Sequence, residues 1–324
     1  MELALRPMST SQVLDRTFYI YRNHFVLLAG IGSLLPAMLL VMQLAFIPLG
    51  FPPRATAKTA PEALMILLLG YVCCYGVIYL VGTALAGGAT VVGVSKLHLG
   101  QGVSISEAYK QVFSRFWRIV GVIVLLGVIV FGSLFVGEFI AIIVITLSVG
   151  STAIFARGGS GLASIGVVFA ILWAVAVFLG AVGAALFFYS KLALAIPACI
   201  LERLPVGVAL RRSWYLTKGS VLRIMLVNLL TWVLGAVLGV VLTIPGQVLA
   251  ATLPSKALLL GLVLQHIGGF IAGVVAGPIA TTAIALIYYD QRVRKEAFDL
   301  QHMMELMGQQ AAPPPPQAAA PSIG

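Results

Sequence analysis

The stretch Val206-Gly-Val-Ala-Leu-Arg-Arg-Ser-Trp-Tyr-Leu-Thr-Lys-Gly-Ser-Val-Leu-Arg223 decides how the chain is organised. Wound as a helix, it sets Leu210, Trp214, Thr217 and Val221 in one line, with Arg211 and Lys218 on another. A basic, aromatic-bearing helix of this kind lies flat among lipid headgroups, apolar stripe in the acyl boundary and cations on phosphate. Gly219 supplies a C-terminal stop, and Ser220 an N-cap for the long apolar run from Val221. The segment reads as a hinge between a helix on a membrane and a helix through it.

Composition agrees. The chain is 60% hydrophobic and 9% charged, against about a quarter charged in soluble domains. Its apolar runs exceed the roughly 20 residues that span a bilayer. The formal charge of +10 is carried by cations that flank apolar runs instead of forming one face, which points to anionic lipid and away from nucleic acid. Three cysteines cannot make a disulfide framework. Cys73 and Cys74 are adjacent, about 100° apart on a helix, and read as small hydrophobes. The first apolar run is longer than the hydrophobic region of a signal peptide, although Ala55-Thr-Ala57 mimics a cleavage site.

In chain order, Leu14, Phe18 and Tyr21 mark a first interfacial helix within residues 1–24. A span follows from Phe25 to Leu49, kinked by Pro36. The second runs from Glu62 to Val94. Residues 95–118 hold another interfacial helix, the third span covers Ile119 to Gly150, and Ser151 to Gly161 is a Gly-rich loop. The fourth span ends at Ser190, and Pro197 breaks what remains before Glu202. The fifth covers Val221 to Leu249 and the sixth Ala257 to Tyr289. Beyond it, Asp290–Arg294, Arg292–Glu296 and Lys295–Asp299 are spaced for helical pairing. The chain divides into a six-span membrane domain, 1–307, and a Pro/Ala-rich disordered cytoplasmic tail, 308–324.

Sixteen of the twenty Lys and Arg fall on one side of this topology; Arg54, Lys58, Arg157 and Lys256 fall on the other. The asymmetry predicts an inner-membrane protein with both termini in the cytoplasm. Ala108-Tyr-Lys-Gln-Val-Phe113 matches Ala209-Leu-Arg-Arg-Ser-Trp214 in character, each followed by a basic residue before a span, Arg118 and Arg223. Leu14-Asp-Arg-Thr-Phe18 is a weaker copy. The fold class expected is all-α and polytopic: three units, each an interfacial helix plus a helical hairpin.

Spans associate through small residues. Gly269, Gly273 and Gly277 on the sixth and Gly235 and Gly239 on the fifth predict that these two pack along those faces. Glu138 is the ionisable residue inside an apolar run; counted from Arg118 it falls about 30 Å on, near the outer interface, as a solvated edge charge or an ion site. Arg118, Arg211, Arg212, Trp214, Lys218 and Arg223 are the candidate headgroup and interfacial residues. No His, Cys, Asp or Glu spacing suits a metal, and no cofactor is implied.

Two resemblances bear on activity. Gly158-Gly-Ser-Gly161 and the run His266-Ile-Gly-Gly-Phe-Ile-Ala-Gly273 look like the serine motif and last helix of rhomboid intramembrane serine proteases, implying a Ser160–His266 dyad. The 106-residue separation and the absence of matching oxyanion residues on the second span speak against it. Leu5 to Phe18, Glu202 leading to Ala209–Gly219, and Tyr288-Tyr-Asp-Gln-Arg-Val-Arg-Lys-Glu296 together resemble the bacterial glycerophosphoryl diester phosphodiesterase membrane-domain family, over nearly the whole chain. That resemblance implies a six-span module. The chain carries no phosphodiesterase domain and no acid–histidine cluster for such chemistry. The expected function is a non-catalytic, lipid-facing scaffold for a membrane or cytoplasmic protein partner; a solute or lipid transporter is the alternative, framed by broken helices such as that at Pro197.

Overall fold

The computed structural model describes residues 7–48, 61–155, 160–252, 255–297, 300 and 304, with side chains for all but 61, 148–155, 160–167 and 255–257. Among them every regular element is helical. In order these are α1 (Thr10–Asn23), α2 (Phe25–Gly32), α3 (Leu34–Phe46), α4 (Pro61–Gly82), α5 (Gly88–His98), α6 (Ile105–Phe113), α7 (Phe116–Phe155), α8 (Ser160–Leu192), α9 (Ala195–Leu201), α10 (Val206–Thr217), α11 (Val221–Thr252) and α12 (Ser255–Glu296). One π-helical turn, Thr83–Gly87, joins α4 to α5. Five helices are long and apolar enough to cross a membrane, and the bent pair α2–α3 makes six. The chain is a membrane protein.

Caps and breaks follow local chemistry. Ser9 and Gln12 form a reciprocal box at the start of α1, and Ser104 accepts the Glu107 amide at the start of α6. Gly219, at φ +84°, ends α10 in the left-handed conformation, as expected. The break between α2 and α3 bends the chain by 45°, one turn ahead of Pro36. Pro36 lacks an N–H, and its ring presses on the carbonyl four residues back, at Gly32. Pro197 acts likewise: the chain turns at Ala193 and Leu194, and α9 begins just before the proline. Residues 151–155, expected as loop, continue α7, because Ser-Thr-Ala-Ile-Phe contains no breaker. The tail 308–324 lies outside the described residues.

Two hairpins, α7–α8 and α11–α12, dominate the long-helix contacts, while α3 packs on α12 more than on its hairpin partner α4. In α7–α8, Gly137 meets Ala181 so closely that a Cβ would collide. In α11–α12 the points of closest approach are Gly246 against Gln265, Gly261 against Ala250, and Gly268 against Leu242. This corrects the expected glycine face. Gly235 lies near Ala276 and Gly269 near Thr243, but Gly273 abuts Pro36 of α3, and a Cβ on Gly239 or Gly277 would meet nothing within 4 Å. A stripe repeating every four residues drifts about 40° around the helix at each step, so it cannot keep facing one neighbour.

Buried side chains concentrate where α1, α5, α6, α9, α10 and the last third of α12 meet, the layer that also holds the junctions between hairpins. Leu28, Val94, Leu216, Ile224 and Leu286 come from five helices, and Leu194 from the turn before α9, and they form one core there. Toward the hairpin tips the helices expose apolar side chains, α4 most of all. The 42 residues of α12 run about 63 Å, twice the hydrocarbon thickness, so it serves both regions.

Within this layer α10 turns inward a line of mostly small residues, one position off the Leu210–Trp214 line. Ala209, Ser213, Leu216 and Thr217 are buried, while Trp214 is exposed. The helix packs on α7, α8 and α9, and close approach there favours Ala209 and Ser213. The Ser213 hydroxyl donates to the Lys191 carbonyl at 2.7 Å. The large indole is turned out.

Candidate functional site

Two acids separated by 94 residues of chain share one arginine in the junction layer. Glu202 follows α9; Glu296 ends α12. Arg212 of α10 donates from Nε and Nη2 to Glu202, at 2.9 to 3.1 Å, and from Nη2 to Glu296 at 2.8 Å. Arg292 closes the ring, with Nε 3.2 Å from Glu296 and 3.8 Å from Glu202. Tyr288 donates its hydroxyl to Glu202. Burial works against the charge on Arg212, but hydrogen bonds to Glu296 and Glu202 outweigh it and raise its pKa above the usual guanidinium value. The four charges alternate in sign and cancel. Arg203, beside Glu202, is held at φ 61°, unusual for a residue with a Cβ, and its carbonyl accepts from Arg118 at 3.3 Å.

One turn before Arg294 lies a second arrangement. The Asp290 side chain is fully buried. It accepts from Arg223 at 2.8 Å, Arg294 at 3.0 Å and the Met8 amide at 2.7 Å. Both arginines also donate to the Met8 carbonyl, at 2.7 and 2.6 Å. The backbone of one residue just ahead of α1, both its N–H and its carbonyl, is thereby clasped to α11 and α12. Nearby Ser95 and Tyr289 share a hydrogen bond, and His98 lies against the Tyr289 ring.

A third set of cations lacks acids. Lys191, at the end of α8, is only 8% exposed. Its ammonium lies 4.8 Å from the Trp214 ring centroid and 5.8 Å from that of Phe187. Lys295 lies 5.1 Å over Tyr215 and donates to the carbonyls of Tyr215 and Lys218, at 2.7 and 2.8 Å. This cation therefore caps the C-terminus of α10. Among the described residues neither Lys191, Lys218 nor Lys295 has a carboxylate within ion-pair distance.

The residues expected to bind headgroups thus divide. Arg212 and Arg223 are paired with internal acids, and Arg118 donates to a carbonyl while staying exposed; Arg211, Trp214 and Lys218 are exposed as well. Asp290–Arg294 and Arg292–Glu296 pair as their spacing implied. Lys295 is turned to α10, and Asp299 lies outside the described residues. Glu138 is exposed one residue beyond Gly137, on the flank away from the contact with α8. His266 is half-buried on α12; the Ser160 side chain lies outside the described residues. No group of three metal-ligating side chains occurs among the described residues.

A cavity of about 330 Å³ lies between α2, α3, the π-helical turn and α12, lined by Pro36, Tyr79, Thr83, Gly273 and Pro278 among others. The Thr83 hydroxyl is buried there without a hydrogen-bond partner. Sequence reasoning missed this feature, since nothing in Thr-Ala-Leu-Ala-Gly announces a π turn. It also missed the roles of Glu202, Tyr288 and Asp290. The available signal was scarcity: with ten acids in 324 residues, three set among junction cations are conspicuous.

Residues 173–311 match the family model described as the membrane domain of glycerophosphoryl diester phosphodiesterase. The matched region runs from the middle of α8 past the end of α12 and contains Glu202, Arg212, Tyr288, Asp290 and Glu296; Leu5–Phe18 lies outside it. No curated protein matches the chain. No solved structure matches it either.

Proposed function

We propose that this chain is a non-catalytic module of a bacterial inner membrane, holding anionic lipid at a cytoplasmic junction layer and scaffolding a protein partner that supplies any chemistry. The observation that carries this reading is the outward face of that layer. Arg22, Arg211 and Lys218 are exposed there beside the exposed rings of Phe18, Tyr19, Phe113, Trp117, Trp214 and Tyr215, the pairing suited to a headgroup region. Glu202, Asp290 and Glu296 of the same layer are turned inward on arginines, while Asp15 and Glu107 are exposed.

In this reading α1, α6 and α10 are interfacial helices that open three repeated units. Their matched positions support it: Val13 and Thr17, Ala108 and Val112, Ala209 and Ser213 are all fully buried, while the following Phe18, Phe113 and Trp214 are exposed. The caps Ser9, Ser104 and Pro205 each stand four residues before the first of these positions. The packing is cyclic as well. Helix α6 lies on α5 and α2, α10 on α7, α8 and α9, and α1 on α11 and α12. Each opening helix thus rests on the preceding unit, and the first rests on the last.

The full chain, extracted from native membranes in mild detergent, should retain phosphatidylglycerol in excess over zwitterionic lipid by mass spectrometry, together with a co-purifying protein. Retention that mirrors bulk membrane composition would overturn the lipid half, and a reporter at the C-terminus found outside would overturn the sidedness. A transporter is the second reading, favoured by the cavity beside a broken helix and a π-helical turn. It requires flux in reconstituted vesicles that falls on filling the cavity with Gly273→Leu.

A further inference from the structure

We infer that Lys191, Lys218 and Lys295, with Trp214 and Tyr215, form a binding site for a phosphate group carried on a lipid. The inference rests on the lipid-facing reading above and gives that reading a location. Its starting point is an electrostatic imbalance. An ammonium set among apolar side chains without an acid partner is costly, yet Lys191, 8% exposed with its Nζ still reaching the surface, has no hydrogen-bond acceptor and no carboxylate among the described residues, only the faces of Phe187 and Trp214. Cation–π contact offsets part of that cost and leaves all three ammonium protons free. Lys295 spends two donors on the carbonyls of Tyr215 and Lys218 and keeps one. Lys218 is exposed, and Lys191 and Lys218 are the like charges that act on Lys295.

Three cations held against mutual repulsion call for an anion with several acceptors, and a tetrahedral phosphate offers oxygens in different directions. Lysines serve such groups as compact point charges. The acyl source follows from the surroundings. On the Lys191 side of α8 the exposed positions Phe187, Gly180, Trp173 and Phe169 follow one another along the helix, a path for a chain hanging from the phosphate. Trp214 and Tyr215, 46% and 51% exposed, stand at the level of the headgroup, where amphipathic rings are favoured.

The test uses the full chain in detergent, with phosphatidylglycerol and phosphatidylcholine titrated separately and bound lipid counted by native mass spectrometry. Lys218→Gln/Lys295→Gln should weaken phosphatidylglycerol binding about tenfold or more, given the strength of a surface lysine's attraction to anionic lipid. Lys218→Arg/Lys295→Arg should keep most of the binding. Lys110→Gln, which removes an exposed cation on α6 outside the set, should change it less than about twofold. Unchanged phosphatidylglycerol binding in the double glutamine variant, with its melting temperature intact, overturns the site while leaving the lipid reading standing. Should the native chain fail to distinguish the two lipids, the lipid reading falls. In that case inorganic phosphate raising the melting temperature of the native chain but not of the double variant would assign the site to a soluble phosphate instead, and no rise would end it.

Discussion

Two groups of cations lie against α10, and only one of them is neutralised. On one side Arg212 and Arg292 alternate with Glu202 and Glu296; on the other, Lys191, Lys218 and Lys295 face rings and carbonyls. The residue types differ as the roles do. Arginine's planar fork satisfies two carboxylates at once and fixes three helices in register. Lysine's flexible ammonium leaves donors over. Paired guanidinium groups here hold the molecule together, and bare ammonium groups are what it has to offer.

If that contrast is right, mutations on the paired side should cost stability and those on the bare side should not. The largest effect is expected at Asp290→Asn, which leaves Arg223 and Arg294 without their acid: a loss of about 3–5 kcal/mol, read by denaturant titration of the full chain in detergent micelles. A fall comparable to an ordinary surface change would show that the clasp carries little. Next comes the Glu202–Arg212 pair. A double-mutant cycle with Glu202→Gln and Arg212→Gln should return a coupling of about 1–3 kcal/mol, and a coupling near zero would place these groups with the lysines. Tyr288→Phe removes one hydroxyl donated to a charged acceptor and should cost about 1.5–3 kcal/mol at most; its melting curve is the readout. Smallest is Lys295→Gln, expected to cost about 0.3–1 kcal/mol through the lost cap on α10. A loss as large as that at Asp290 would erase the distinction.

Much of the architecture is legible in the sequence because hydrocarbon imposes long apolar runs, and the breaks at Pro36 and Pro197 follow from a missing N–H. Pairs four residues apart, Asp290–Arg294 and Arg292–Glu296, can be read from spacing for the same reason: the helix itself sets the distance. Arg212 between Glu202 and Glu296 cannot, since that meeting depends on how α9, α10 and α12 are brought together. The inward face of α10 is not marked by hydrophobicity, because size at a close helix contact puts Ala209 and Ser213 inside. The glycine stripe of α12 likewise gave the right helix and the wrong neighbour for Gly273, which meets Pro36. The lysine cluster was visible only as Lys218; Lys191 and Lys295 are 104 positions apart and read separately as boundary charges.

The clasp on Met8 also imposes an order on biosynthesis. Its two ends are 282 positions apart, so at about 5–20 residues per second a ribosome needs on the order of 14–56 s to deliver Asp290 after Met8. For that interval the opening helix has no acid to receive its amide, and the first hairpin must wait in the bilayer with its seam unsewn. A chain terminated before the final helix would strand Arg223 in the same condition permanently, which makes completion of the last span the moment at which quality control can distinguish a finished molecule from a fragment.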